Sequence, residues 1–173
     1  VSRVESYSGT FYILRPGELV HFDGLTIHKD FIDWGTLPSR KTHDMLRMGN
    51  RIFISTDRGL GVLRGASLTM LKGEDGLPVE NTTCLTQGFD RDLWIGTQRG
   101  AVRMVGDEWH YFGADLWLPH NKVNAIAARD NVVYIATDGG LGIIRYEPYT
   151  LLKKAEFFER HLEEWGHKRM GFI

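Results

Sequence analysis

The chain has 173 residues, 42% of them apolar and 25% charged, the proportions of a soluble domain large enough to bury a core. A net charge of −1 supplies none of the basic excess that nucleic-acid binding relies on. No apolar run reaches the roughly 20 residues needed to cross a bilayer, so no membrane span is expected.

The sequence opens at "VSRVESYSG", with neither a signal peptide nor an initiator Met, which reads as a processed chain or a fragment. Its first unit, residues 1–38, begins directly with a strand pattern and closes near Pro38 in "TLPSRK". The second, 42–79, carries "IFISTDRGLGVL" from Ile52 to Leu63, a strand, a tight turn and a second strand, and closes at Pro78 in "GLPVEN". The third, 83–119, reads "TCLTQ", "GFDRD", "LWIGT", "QRG", "AVRMV", "GDE", "WHYF": four strands joined by polar turns. Its Cys84, the single cysteine, excludes an internal disulfide and lies in a strand pattern that predicts a buried, inert thiol. The fourth unit, 123–147, has three strands, "VNAIAAR", "VVYIAT" and "LGIIRY".

The period then changes. Pro148 and a Thr150 N-cap introduce Leu151, Ala155, Phe158, Leu162 and Trp165 at helical spacing, with Gly166 as the stop, so an α-helix and tail are expected over 148–173.

Two landmarks keep step through the units. Thr56, Thr97 and Thr137 stand 41 and 40 residues apart, and Gly59, Gly100 and Gly140 share their offsets. Pro38, Pro78 and Pro119 of the Leu-Pro pairs are spaced by 40 and 41. A period near 40 with four short strands per unit, and no helical apolar spacing before residue 148, predicts an all-β fold: a β-propeller of about four blades, the last incomplete. The turn glycines are expected to supply positive φ in the inner hairpins, the Leu-Pro pairs an extended lead into the next unit, and Asn81 and Asn121 side-chain caps on that connection. Trp94 and Trp109 are expected to pack between blades.

The composite of Leu-Pro-x-Asn followed by L-W-I-G-T-x-x-G resembles the two-component-regulator propeller repeat, over residues 40–146. The first unit departs from it, with Arg15 in place of the Thr and Glu18 in place of the turn Gly. The resemblance implies a periplasmic or extracellular propeller, either a sensor that responds to glycans or a relative of the polysaccharide-lyase propellers. With a fourth strand lacking in the last unit, three assemblies stay open: part of a larger propeller of about seven blades, two chains forming one ring, or a closed four-bladed monomer with a bare edge.

In a blade, the turn between strands two and three and the connection to the next blade open on one rim. That rim collects Asp57, Arg58, Gln98, Arg99 and Asp138 from the turns, and Lys41, His43, Glu74, Asp75, Asp115, Trp117, His120 and Lys122 from the connections. Arg58 and Arg99, at equivalent positions, suit a carboxylate or sulfate, with Trp117 stacking on a sugar ring and His43, Lys122 and Asp138 completing the set. The plain alternative is that charged residues at hairpin tips merely face water. His120 with Arg99 is the catalytic candidate: a loop imidazole as base and a cation for the charge that forms beside a uronate carboxylate. No cofactor is expected, and no metal: the carboxylates of "GEDG", "DRD" and "TDGG" match no calcium loop. The expected function is therefore recognition of an acidic glycan or other anionic ligand. A uronate-directed lyase or hydrolase and a protein-interaction platform stand as alternatives.

Overall fold

The computed structural model describes residues 3–7, 9–16, 18–29 and 41–146, with Ala155 and Glu159 as isolated positions beyond. The helix expected over residues 148–173 lies outside this set but for those two positions, both of which are helical.

Among the described residues, fifteen strands form four antiparallel sheets in strict chain order. The first sheet contains β1 (Arg3–Tyr7), β2 (Thr10–Arg15), β3 (Glu18–Phe22) and the two-residue β4 (Ile27–His28). The second holds β5 (Thr42–Met48), β6 (Arg51–Thr56), β7 (Gly59–Arg64) and β8 (Ser67–Leu71). The third holds β9 (Thr82–Gln87), β10 (Leu93–Thr97), β11 (Gly100–Val105) and β12 (Glu108–Phe112). The fourth holds three strands among the described residues, β13 (Val123–Arg129), β14 (Val132–Thr137) and β15 (Gly140–Arg145). The predicted meander holds in each sheet.

The sheets are fanned about an axis, not stacked as a sandwich. The first strands of successive sheets approach one another, β1 with β5, β5 with β9 and β9 with β13, while each also packs on the second strand of the sheet before it. Every sheet is therefore covered on both faces where it has a neighbour on both sides. The side chains show why. Along β6 the residues alternate between seams: Ile52 and Ile54 pack with Tyr12, Leu14 and Leu19 of the first sheet, while Phe53 packs with Leu85, Leu93 and Ile95 of the third. Along β10, Leu93 and Ile95 face back and Trp94 faces forward, onto Val123, Val133 and Ile135. An unbroken apolar run such as "IFI" or "LWI" is what a strand buried on both faces requires. Trp109 packs against the cluster between the second and third sheets, so both tryptophans stand where expected.

Among the described residues, none packs over the forward face of the fourth sheet. Tyr134, Leu141 and Ile143 are 38%, 55% and 56% exposed, although the residues at the same repeat positions, Phe53, Leu60 and Val62 in the second sheet, are at most 6% exposed.

The Thr-x-x-Gly landmark closes the same hairpin in three sheets, as the pairs Thr56–Gly59, Thr97–Gly100 and Thr137–Gly140. The Thr hydroxyl bonds the Gly carbonyl at 2.8, 2.6 and 2.8 Å, and in the second and third sheets also accepts the amide of Arg58 or Arg99. In the first sheet Arg15 and Glu18 hold that register, joined by an ion pair at 3.7 Å. Gly100 has φ of +115°, and a Cβ there would stand 2.5 Å from the Phe112 carbonyl oxygen. Gly106, at φ +61°, faces open space. The predicted Leu-Pro connection proves to be a wedge: Leu77 and Leu118 are 2% and 5% exposed within the second and third seams. Asn121 caps as expected, its Oδ1 accepting the Ala114 amide, while Asn81 acts through its carbonyl on the Gln98 amide. Cys84 is partly buried beneath Gly96, and burial pushes its thiol up to about 11.

Gly100→Ala should lose about 2–3 kcal/mol of stability, because the added methyl meets backbone at a φ that L residues resist, whereas Gly106→Ala should lose about 1 kcal/mol. Urea denaturation of both variants checks the order, and equal losses would contradict this account.

Candidate functional site

The two predicted loop classes do meet on one rim, and backbone hydrogen bonds join them. Asp57, Gln98 and Asp138, each at the second position of its turn, donate to the carbonyls of Lys41, Asn81 and Lys122 at 3.3, 3.1 and 3.2 Å, just ahead of the first strand of their own sheet. Gly59 and Gly100 donate to Glu80 and Asn121, which lead into the next sheet. The turns of the second and third sheets are thereby tied to two sheets at once. Thr82 strengthens the tie: its hydroxyl donates to the Thr56 carbonyl and accepts the Thr56 amide, both at 2.9 Å.

A β-bulge follows in the first strand of the second, third and fourth sheets, leaving His43, Thr83 and Asn124 as the extra residues. Bulges at a sheet margin re-aim a side chain. His43 and Asn124 are exposed, whereas Thr83 turns to the fourth sheet and donates its hydroxyl to the Val123 carbonyl at 2.8 Å.

Arg58 and Arg99 stand exposed at matched tips on neighbouring sheets, and neither guanidinium has a hydrogen-bond or ion-pair partner among the described residues. Tyr111 donates its hydroxyl to the Arg99 carbonyl, fixing that turn while leaving the side chain unengaged. On the next turn the structure brings together Lys122, Asn124 and Asp138. The Asp138 carboxylate accepts Asn124 Nδ2 at 2.7 Å and Lys122 Nζ at 3.1 Å. Its pKa is lowered below the ordinary 3.8 by the Asn124 hydrogen bond first and the Lys122 hydrogen bond second. His120 Nδ1 accepts the Lys122 amide at 3.1 Å, so the neutral ring carries its proton on Nε2 and offers the rim a donor. Trp117 stands apart from this group. It is 55% exposed, set edge-on to Phe112 with ring centroids 5.6 Å apart, and lines the seam between the third and fourth sheets.

Three charged groups escaped the sequence reading. Asp44, 6% exposed at the axis, accepts Arg3 Nε at 2.6 Å and the amides of Met45 and Leu85 at 2.9 Å, joining three sheets with one carboxylate. Asp92 and Arg103 form a buried ion pair within the third sheet. Repeat alignment carries the signal for that pair: the positions of Arg103 hold Val62 and Ile143 in the flanking units. Among the described residues no group of His, Cys, Asp or Glu side chains is placed to hold a metal.

By sequence, no protein-family model and no curated protein matches the chain. Among solved structures it is similar to the extracellular domain assigned to a hybrid two-component system, BT3049, of B. thetaiotaomicron, with TM-score 0.70 and 19% identity over 82% of this chain and 23% of that one. Virginiamycin B lyase from Staphylococcus aureus, a catalytically inactive form with quinupristin, matches with TM-score 0.62 and 12% identity over 80% and 48%. PorZ, a surface component of the type-IX secretion system of Porphyromonas gingivalis, matches with TM-score 0.61 and 13% identity over 83% and 25%. The fold is a β-propeller. The chain spans between about a quarter and a half of the length of these propellers. The extracellular domains among them are of the class whose repeat this sequence resembles.

A depressed carboxylate stabilises the fold above its unfolded pKa, and that contribution disappears as pH falls through the folded value. Asp138 should accordingly titrate below 3.8 by carboxyl-detected NMR, and Asn124→Ala should move its midpoint upward. A midpoint at or above 3.8 in the unmodified chain would contradict the hydrogen bonds described.

Proposed function

We propose that this chain is the recognition portion of an extracellular or periplasmic sensing propeller, and that its rim binds an anionic ligand of the acidic-glycan class. The observation that carries this reading is the pair Arg58 and Arg99, two exposed guanidiniums on adjoining blades without a partner among the described residues, each on a turn tied to two sheets. A guanidinium fork bonds carboxylate or sulfate in pairs, and a rigid tip loses little freedom on binding. His120 Nε2–H, His43 and Lys122 add donors along the same rim, while Asp138 holds Lys122 in place. The similarity to extracellular domains assigned to one- and two-component systems supports a sensing role for such a rim.

The same reading places a further blade on the forward face of β13–β15, from the rest of a longer chain or from a second copy. Tyr134, Leu141 and Ile143 support it, being exposed at positions that are buried in the second sheet. The lyase alternative assigns His120 as base and Arg99 as charge stabiliser. It has less support, because the Nδ1 lone pair of His120 already accepts a backbone amide.

Titration with oligogalacturonate by calorimetry tests the rim. Arg58→Ala and Arg99→Ala should each weaken binding about tenfold, the double variant more, and added salt should weaken the unmodified chain. Undiminished binding by the double variant would remove the rim from the site. Release of unsaturated sugar ends that His120→Ala abolishes would replace the binding reading with the lyase reading.

A further inference from the structure

Between the third and fourth sheets, away from the turns at the rim, lies a cleft of about 240 Å³. Its walls are aromatic. Trp94 and Phe112 are 5.0 Å apart between ring centroids, Trp117 meets Phe112 edge-on, and Phe89 leans on Tyr146 at 5.0 Å. Into this wall the third sheet places a buried guanidinium, that of Arg103, 8% exposed. Its Nε donates to Asp92 Oδ2, an oxygen that also accepts Trp94 Nε1 at 2.8 Å. Its plane lies under the rings of Trp94 and Tyr146, at 5.9 and 5.0 Å.

The two terminal nitrogens, with four N–H donors, have no acceptor among the described residues, and Arg103 lines the cleft. Asp92 accounts for the orientation of the side chain and for one of its five donors. The remaining donors are held rigid and unused on the wall of an apolar cavity. Arg145, from β15, adds a second cation to the lining. The adjoining seam has a corresponding cleft of about 190 Å³ along Phe53, Thr69 and Leu71, but Val62 occupies the position of Arg103 there and no buried guanidinium lines it.

We propose that this cleft is a binding site for a small aromatic carboxylate, its ring against the aromatic walls and its carboxylate on the terminal nitrogens of Arg103. The volume is at the small end for ligand pockets, which suits one ring and not an oligomer. The lining separates an aromatic acid from a sugar acid. The several hydroxyls of a uronate would each need a partner on leaving water, and beyond the two arginines only His110, Trp117 and Tyr146 offer polar side-chain atoms, Trp94 Nε1 being engaged by Asp92. The site is distinct from the rim arginines and does not depend on them.

Phenylacetate titrated into the full chain, followed by calorimetry and tryptophan fluorescence, tests the assignment. Saturable binding with Kd below about 1 mM is expected, with phenylacetamide and glucuronate at least tenfold weaker. Arg103→Lys keeps the charge beside Asp92 and loses the planar fork, so it should weaken phenylacetate at least tenfold. Trp117→Ala removes an exposed wall without touching the core and should weaken it several-fold, which keeps the test decisive if the Arg103 variant does not fold. Arg58→Ala and Arg99→Ala should leave it unchanged. The proposal is overturned by absence of binding, by equal affinity for the amide or for glucuronate, or by an unaltered Kd in Trp117→Ala.

Discussion

What holds this molecule together is the burial of both faces of each sheet by its neighbours. A four-stranded sheet of this kind has no core of its own, since Ile52 and Ile54 look one way and Phe53 the other. The eight side chains clustered in the middle seam supply on the order of 10–20 kcal/mol of gross hydrophobic stabilisation, and all of it depends on the adjacent sheet. Such a unit stands only in company. That is the thermodynamics of a repeat array: each interface adds stability, and a terminal unit presents a face that is apolar for want of a neighbour.

The seams alone leave the sheets free to slide along the axis, and the rim prevents it. The turn between the second and third strands spends one amide on its own sheet and, through Gly59 or Gly100, a second amide on the next. Thr at the first position and Gly at the fourth are the residues this geometry needs: a hydroxyl to close the turn, and a backbone that accepts positive φ with another strand against it. At the third position Arg58 and Arg99 face outward, and their side chains make no hydrogen bond or ion pair among the described residues. Such a position can vary at little cost to the fold, which is how a propeller diversifies its rim while keeping its frame.

The architecture was legible because two independent landmarks share one period, and because apolar runs too short for helices but apolar on both faces admit few arrangements. Even where the first unit abandons the landmark, Arg15 and Glu18 keep the register, since the pairing is set by hairpin length and not by the identity of the closing residues. The rim was legible for the same reason: loop direction follows from strand order. Electrostatic detail was not. Asp44 shares its repeat position with Cys84 and Ala125, and nothing in "THDML" distinguishes a solvated carboxylate from one that binds three sheets. Trp117, read as a rim residue from its loop, turns instead into the seam, because Phe112 offers it an aromatic edge that water does not.

The third seam departs from the logic of its neighbour, and the departure is costly. At the second seam the equivalent positions hold Phe53 and Val62, an apolar solution of the right size that this fold evidently accepts. At the third they hold Trp94 and Arg103, with Asp92 drawn inside to match the charge. Taking two ions out of water costs several kcal/mol per ion, and an apolar pair of similar volume commonly serves stability as well or better. The cation–π contacts with Trp94 and Tyr146 return a part of that, on the order of 1–2 kcal/mol each where the guanidinium is desolvated. Its terminal nitrogens reach the cleft and take no acceptor among the described residues, so Asp92 fixes the side chain through Nε alone. A frame that can use valine here and uses arginine is constrained by something other than holding two sheets together.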